Sequence, residues 1–396
     1  MTTTEQKIFE TIAADIQARP AQVAAAVGLL DDGCTVPFVA RYRKEVTGGL
    51  DDTQLRLLEE RLGYLRELEK RREVILGSIR DQGKLTPELE AKIVAADTKQ
   101  GLEDLYLPYR PKRRTLAAIA REAGLEPLAL KLFENPGLDP ETEAVAFVSP
   151  EKNVPDVKAA LNGARDILAE KMSEDSVLLA DMRAWLWNEG AMTSRVVEGM
   201  EETGAKFRDY FDYREPIARM PSHRALAAFR GQMEGVLTLG LEVDAERPDQ
   251  PVERTAAYFN VGTQGRSADA WLWQCCRWTW RVKLRASLEA EVFDRLREAA
   301  EGAAIDVFGT NLRDLLLAAP AGHKRVLGLD PGIRTGVKTA AIDETGKLLA
   351  TAVVFPFGSN ERRSDAVATI ARLIRQHRLT LVSIGNGTAS RETVEF

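Results

Sequence analysis

The sequence has few of the residues that build covalent cross-links and transition-metal sites. Its 396 residues include only three cysteines (Cys34, Cys275 and Cys276) and three histidines. Three cysteines cannot form a disulfide framework, and neither residue type recurs at zinc-ligand spacing. The composition therefore excludes a disulfide-stabilised secreted domain, predicts no metal or other cofactor, and favours a reducing, cytoplasmic compartment.

The chain also lacks an excess of positive charge. Its 54 Lys and Arg residues are outnumbered by 60 Asp and Glu, which gives a net charge of −6. This balance excludes a protein that is basic throughout, but it permits a local basic surface. No apolar run approaches the ~18 residues that span a bilayer. The N-terminus lacks the basic and apolar regions of a signal peptide, so a membrane protein is not expected.

What is present, up to about residue 320, is helical periodicity. Ile8, Ile12 and Ile16 repeat every four residues, as on one face of an amphipathic helix. Asp51 or Asp52 can cap a long helix that carries a stripe of leucines at positions 55, 58, 62 and 65. Such a stripe favours a packing seam over a partner-binding zipper, because it lasts too few heptads. Further helices are predicted over 115–134, 155–188, 216–231, 267–300 and 301–318.

Two stretches depart from this periodicity. Residues 234–244 alternate and are rich in β-formers, with 192–197 as a weaker partner, which predicts a small β insert. From Lys324 onward, three strand-like runs, an amphipathic helix and a fourth strand-like run follow one another. The predicted fold is therefore α+β and multidomain. A helical region over 1–190 and a central region over 191–322 with the β insert precede an α/β domain of ribonuclease-H type over 323–396.

That last domain is expected to be incomplete. The chain stops shortly after the fourth strand-like run, which would leave a sheet edge unpaired. We therefore expect the sequence to be a fragment of a longer protein.

Two short segments concentrate positive charge. The stronger runs from Tyr106 to Arg114, where two tyrosines that could stack on bases accompany four cations; its candidate binding residues are Tyr106, Tyr109, Arg110, Lys112, Arg113 and Arg114. The prolines of this segment predict an extended, exposed chain. A smaller cluster consists of Arg41, Arg43 and Lys44. Either segment could bind phosphates or could be an ordinary solvated loop.

Two longer motifs carry a family resemblance. One begins RVLGLDPGIRTGVKTAAIDETG and ends LVSIGNGTASRET; the other is RYRKEVTGGLDDTQLRLLEERLGYLRELEKRR. Together with DLYLPYRPKRRTLAAIAREAGLEPLA and SHRALAAFRG, they resemble the bacterial Tex family of transcription accessory proteins. The resemblance implies a cytoplasmic nucleic-acid-binding protein with a helix-turn-helix element and a YqgF-type ribonuclease-H-like domain. It also implies C-terminal helix-hairpin-helix and OB-fold modules, which this sequence lacks.

The candidate catalytic position is Asp330, at the end of the first strand of the ribonuclease-H-like region. Relatives of the resolvase type place a second acid after the fourth strand, where this sequence has Asn386. One carboxylate and an amide cannot hold the two metal ions of such a nuclease. Asp330 could instead make a turn hydrogen bond, and a phosphate cradle here is disfavoured because no P-loop signature is present. We therefore expect no enzyme activity.

The remaining helix-turn-helix signal is ambiguous. Thr115 can cap a helix and Gly124 can form a turn, but the second helix begins with Glu126, Pro127, Leu128 and Ala129, which do not read base edges. The sequence thus predicts a non-catalytic transcription accessory factor that binds RNA, single-stranded DNA or duplex DNA without sequence specificity. RNA polymerase and the ribosome are the candidate protein partners. The alternatives are a metal-dependent nuclease or junction resolvase, and a protein-interaction scaffold.

Overall fold

Amphipathic helices dominate the fold, as their spacing predicts. A computed structural model of the chain describes residues 3–111, 114–262 and 264–396, except for the side chain of residue 3. The chain divides into two units, Met1–Ile305 and Asp306–Phe396, which are described separately. Within the described residues, no helix is both long and apolar enough to cross a membrane.

Four helices open the first unit: α1 (Thr3–Asp15), α2 (Pro20–Asp31), α3 (Val36–Tyr42) and α4 (Asp52–Asp81). Ile12, Leu55 and Leu58 are fully buried in one core, so the isoleucine face and the leucine stripe pack inside the chain. Asp51 caps α4, because its carboxylate accepts a hydrogen bond from the backbone N–H of Gln54 at 2.8 Å. The predicted packing seam and cap are confirmed, and these leucines are not available to a partner.

Seven further helices follow: α5 (Pro87–Ala95), α6 (Lys99–Tyr106), α7 (Leu116–Glu122), α8 (Glu126–Glu134), α9 (Pro140–Ala144), α10 (Val157–Ser173) and α11 (Ser176–Glu189). Helix α10 is central, and α7, α8 and α9 all pack against it. Fully buried alanines at 160 and 164 permit this close approach.

The predicted β insert is a three-stranded antiparallel sheet in the order β2-β1-β3, formed by β1 (Ala191–Val196), β2 (Asp212–Pro216) and β3 (Leu237–Glu242). The pairing of β1 with β3 confirms the expected partnership. Strand β2 was not predicted, because DYREP is charged and no residue of it is fully buried. Helix α12 (Ser222–Met233) connects β2 to β3 and packs on β3.

Three helices lead out of this sheet: α13 (Gln250–Tyr258), α14 (Asp269–Trp278) and α15 (Arg285–Leu317). A π-helical turn, Thr279–Leu284, joins α14 to α15. The prediction of separate helices over 267–300 and 301–318 was wrong, since the chain runs helically through Gly302 and the irregularity lies at the π turn. Cys275, Cys276 and Trp280 are buried, so this tryptophan-rich stretch is part of the core.

The second unit contains β4 (Val326–Asp330), β5 (Val337–Ile342), β6 (Leu348–Val354), α16 (Asn360–His377), β7 (Leu381–Ile384) and α17 (Ser390–Glu395). The strand order is β6-β5-β4-β7; β4 and β7 are parallel, and the other pairs are antiparallel. Ala366 and Leu373 of α16 are buried in the core of this unit. The fold is therefore α+β. Three antiparallel strands, a helix and a parallel strand follow one another along the chain in the predicted order.

Candidate nucleic-acid interface

The short helix α3 turns an apolar face inward and a basic, aromatic face outward. Val36 and Val39, three residues apart, are buried in the N-terminal core. Their burial directs Phe38, Arg41 and Tyr42 to the opposite side of the helix, where Phe38 is 39% exposed and Tyr42 is 56% exposed. An outward face of this kind contributes little to folding and is accessible to a ligand.

Three cations lie on this surface. Arg41, Arg43 and Lys44, here called the α3 basic cluster, are all exposed. Among the residues that the structure describes, none of the three forms an ion pair with a carboxylate. By contrast, Arg56, Arg61 and Arg66 of α4 each pair with an aspartate at 2.7 Å. The α3 basic cluster therefore presents positive charge that the described part of the chain does not neutralise through an ion pair.

Two carboxylates accompany this cluster, one on the same surface concavity and one next in the sequence. Asp52 lines the same surface concavity, but its carboxylate already accepts a hydrogen bond from Arg56. Glu45 follows Lys44 directly and is exposed. The local balance of charge across residues 41–45 is thus positive.

Hydrogen bonds hold the loop after α3 in one conformation. The side chain of Gln22 donates to the carbonyl oxygens of Thr47 and Gly48, at 3.2 and 2.9 Å. Within the loop, Gly49 donates its N–H to the carbonyl of Lys44 at 2.9 Å, and Gly48 and Gly49 take positive φ angles. The backbone that carries the α3 basic cluster is therefore preorganised.

The sequence analysis found these cations but missed the aromatic residues beside them. Phe38 and Tyr42 are four residues apart, and their ring centroids are 5.4 Å apart at an interplanar angle of 48°. The guanidinium of Arg43 lies 5.4 Å from the centroid of Phe38. The available signal was the segment VPFVARYR, in which valines three apart and aromatics four apart define two helix faces.

The segment from Tyr106 to Arg114 differs from its prediction. Tyr106 ends α6 and is buried; its hydroxyl lies 3.0 Å from that of Ser78, so it cannot stack on a base. Leu107–Tyr109 forms a 3₁₀ turn rather than an extended chain, and Tyr109 is half-buried. Arg110 is exposed as predicted. Tyr106 is buried because it lies four residues after Leu102, on the face of α6 that packs in the core.

The rest of that segment offers less free charge than the sequence suggests. Arg114 is exposed, but its guanidinium donates to Glu122 at 2.5 Å. Lys112 and Arg113, which were predicted to bind nucleic acid, lie outside the described residues. Arg110 is therefore the one cation of this segment that is exposed and outside an ion pair among the described residues, and Glu103 lies near enough for the charge of Arg110 to act on it.

Helices α7 and α8 have the features that the helix-turn-helix interpretation used. The hydroxyl of Thr115 accepts from the N–H of Ala118 at 3.0 Å, and Gly124 takes a φ of +88° between the helices. However, Leu128 and Ala129 of α8 are fully buried against the core. These two residues therefore serve helix packing, the role that the sequence favours over base reading, and a helix-turn-helix element stays a prediction from the family resemblance.

Asp330 ends β4 as predicted, and its side chain is 75% exposed. Its carboxylate lies 3.7 Å from the ammonium of Lys338 on the neighbouring strand β5. The loop after β7 adjoins it, since Gly385 donates its N–H to the carbonyl of Leu329 at 2.8 Å, and Asn386 comes next. Asp330 and Asn386 therefore lie at the same end of the sheet, as the ribonuclease-H comparison requires.

Asp343 and Glu344, in the turn between β5 and β6, lie at the opposite end of the sheet from Asp330. Glu344 pairs with Arg325, which precedes β4, at 3.1 Å. The Asp343 carboxylate accepts a hydrogen bond from the Thr345 hydroxyl, which lowers its pKa, and it also accepts from two backbone N–H groups. Within the described residues, no three His, Cys, Asp or Glu side chains converge to hold a metal ion. The residues around Asp330 thus do not fit a two-metal nuclease centre.

The arginines of the SHRALAAFRG segment do not form one patch. Arg224 donates to Glu215 at 2.9 Å, and Arg230 lies 4.0 Å from Glu234. His223 is exposed. The two arginines are six residues apart on α12 and pair with different carboxylates.

Models of three protein domains match the chain: the Tex-like protein N-terminal domain over residues 6–80, the Tex central region-like domain over 135–308 and the Tex protein YqgF-like domain over 324–396. Protein tex of Bordetella pertussis is 58% identical over 396 residues, which cover 98% of this chain and 50% of that protein. Protein YhgF of Escherichia coli is 55% identical over 390 residues, covering 97% and 50%. Transcriptional accessory protein Tex of Neisseria gonorrhoeae is 53% identical over 389 residues, covering 98% and 50%.

The fold and its basic N-terminal surface define a multidomain α+β protein with a YqgF-like domain. The chain belongs to the Tex family. It spans about half the length of the curated relatives that it matches.

Proposed function

We propose that this chain is the nucleic-acid-contacting part of a transcription accessory factor, and that the α3 basic cluster binds the phosphate backbone. The observation that carries this proposal is the exposure of Arg41, Arg43 and Lys44 on α3 and the hydrogen-bonded loop after it, without ion pairs among the described residues. The name of the Neisseria gonorrhoeae relative, transcriptional accessory protein, supports the link to transcription.

Contacts of this kind give affinity without reading sequence. Arginine and lysine side chains that touch phosphates release counterions, and the resulting affinity depends on salt rather than on base identity. Helix α8 supports the same conclusion, because Leu128 and Ala129 are buried and Pro127 has no donor that could reach a base edge. Binding to RNA and DNA strands of unrelated sequence should therefore be similar.

Fluorescence anisotropy with labelled 20-nucleotide strands of unrelated sequence tests this function at low salt. The variant Arg41→Ala/Arg43→Ala/Lys44→Ala should lose roughly tenfold or more in affinity for every strand. The matched control, Arg61→Ala/Arg66→Ala/Arg254→Ala, removes three arginines that aspartates outside this concavity already neutralise, and it should bind nearly as well as the unchanged protein. If the unchanged protein binds no strand even at low salt, the proposed function is wrong.

We infer further that this chain acts without hydrolysing nucleic acid. Asp330 is exposed and lies beside a lysine, Asn386 stands where a second acid would be required, and Asp343 and Glu344 lie at the other end of the sheet. Incubation of branched and linear DNA with Mg²⁺ or Mn²⁺ should therefore leave the substrate intact. Cleavage that disappears in Asp330→Asn would instead establish a nuclease.

We also propose that the protein associates with RNA polymerase or the ribosome in the cytoplasm. The leucine stripe of α4 cannot mediate it, because Leu55 and Leu58 are fully buried. We therefore expect association to depend on nucleic acid. A pull-down from lysate should lose both assemblies after nuclease treatment, and retention after treatment would instead favour a protein-interaction scaffold.

A further inference from the structure

The exposed aromatic pair of α3 has no structural task that the described residues reveal. The buried contacts of this helix are made by Val36 and Val39, whereas the rings of Phe38 and Tyr42 face outward. Large aromatic rings on a surface cost solvation free energy unless something covers them. Side by side on one short helix, they form an apolar platform within a basic surface.

A shallow concavity of about 710 Å³ surrounds this platform. Pro37, Phe38, Ala40, Arg41, Tyr42, Lys44 and Asp52 line it. Its volume exceeds that of a nucleobase, and Arg41 and Lys44 supply positive charge among the residues that line it. Asp52 is the one carboxylate among the lining residues, and it is engaged by Arg56.

Aromatic rings beside cations are the combination that binds single strands. Every base has a π face that can stack on a side chain, and the adjoining phosphates require cations within a few ångströms. In a duplex the base faces are already stacked, so the same surface would meet only the backbone. An acidic protein segment would use the cations but would need a longer apolar groove than a single helix of seven residues provides.

We propose that Tyr42, supported by Phe38, is a base-stacking subsite for single-stranded nucleic acid, with Arg41 and Lys44 on the flanking phosphates. This assignment rests on the proposed function and adds to it a site and a preference for single strands. Arg43, which also belongs to the α3 basic cluster, lies over Phe38 and helps to hold that ring in place.

Fluorescence of 2-aminopurine tests the subsite directly, because stacking quenches this base. Three probes are titrated with the protein at low salt. They are a single strand containing one 2-aminopurine, a duplex of the same sequence, and a strand with an abasic residue at that position. The unchanged protein should quench the single strand and bind it more tightly than the other two. The variant Phe38→Ala/Tyr42→Ala should lose the quenching and about fivefold to hundredfold in affinity for the single strand, while the affinity for the duplex changes little.

Two further variants separate stacking from damage to the fold. Tyr42→Trp keeps an aromatic face and should retain the quenching. Tyr258→Ala, which removes another surface tyrosine, should leave the quenching and the affinity unchanged. Equal losses for the single, duplex and abasic strands in Phe38→Ala/Tyr42→Ala would overturn the subsite.

The failure of the subsite can be told from the failure of the function. If Phe38→Ala/Tyr42→Ala binds single strands as tightly as the unchanged protein, the subsite is wrong and phosphate binding by the α3 basic cluster stands. If the unchanged protein binds none of the three probes, both proposals are wrong.

Discussion

At the scale of single residues, ion pairs join helices that are distant in sequence. Arg71 of α4 donates to Glu103 of α6 through two hydrogen bonds, at 2.5 and 3.0 Å. The hydrogen bond from Arg71 lowers the pKa of Glu103 below its usual value of 4.5. The same guanidinium lies 5.4 Å from the ring of Tyr106, so one residue anchors α6 in two ways.

Because the pKa of Glu103 is lower in the folded protein than in the unfolded chain, the ion pair stabilises the fold when the pH is above the unfolded pKa. This stabilisation is lost as the pH falls through the folded pKa. Glu103→Gln should therefore lower the free energy of unfolding at pH 7, by at most about 1 kcal/mol because both side chains are partly exposed. The difference should vanish as the pH falls below 4.5 through the folded pKa. Urea denaturation at pH 7 and at a series of pH values below 4.5 measures this difference, and Glu73→Gln, at an exposed position, is the control. A difference that does not shrink as the pH falls would contradict this account.

The three cysteines should differ sharply in reactivity. Cys275 and Cys276 are fully buried, and burial raises the pKa of Cys276 to about 12 and that of Cys275 well above its usual value. Thiolates are the reactive species, so neither should react in the folded protein. Cys34 is only half-buried.

Titration with a disulfide reagent at pH 8 should modify one thiol in the native state and three in denaturant. The native reaction should disappear in Cys34→Ser. Native modification of Cys275 or Cys276 at the rate of Cys34 would show that the tryptophan-rich helix is not core.

At the scale of elements, neighbouring positions of α4 have opposite environments. Leu58 is fully buried, whereas Leu57 is 38% exposed. Leu58→Ala should cost about 2–5 kcal/mol of stability through lost contacts and a cavity. Leu57→Ala is the matched control and should cost less than about 1 kcal/mol. Chemical denaturation compares the two, and equal costs would contradict the packing of the leucine stripe.

Local signals made much of this architecture predictable. The caps of α4 and α5 follow from Asp51 and from Thr86 before Pro87, and the turn between β5 and β6 follows from residues 343–346. Strand β2 could not be found this way, because its charged sequence is a strand only by pairing with β1. The burial of Tyr106 and the exposure of Phe38 depend on which helix face meets the core, and charge counting does not reveal that.

At the scale of the whole molecule, a net charge of −6 coexists with a basic surface. Carboxylates neutralise most arginines of α4. The acidic residues that outnumber the basic ones are therefore not spread evenly over the surface. The α3 basic cluster differs because its cations have no such partners among the described residues. Position therefore matters more than the number of charges.

The salt dependence of binding tests this central claim most directly. Each cation that contacts a phosphate of a single strand contributes about 0.7 to the slope of log Kd against log salt concentration. The change Arg41→Ala/Arg43→Ala/Lys44→Ala should therefore make that slope shallower by about 2, whereas Arg61→Ala/Arg66→Ala/Arg254→Ala should leave it unchanged. Equal slopes for the unchanged protein and the first variant would show that nucleic acid does not bind through α3.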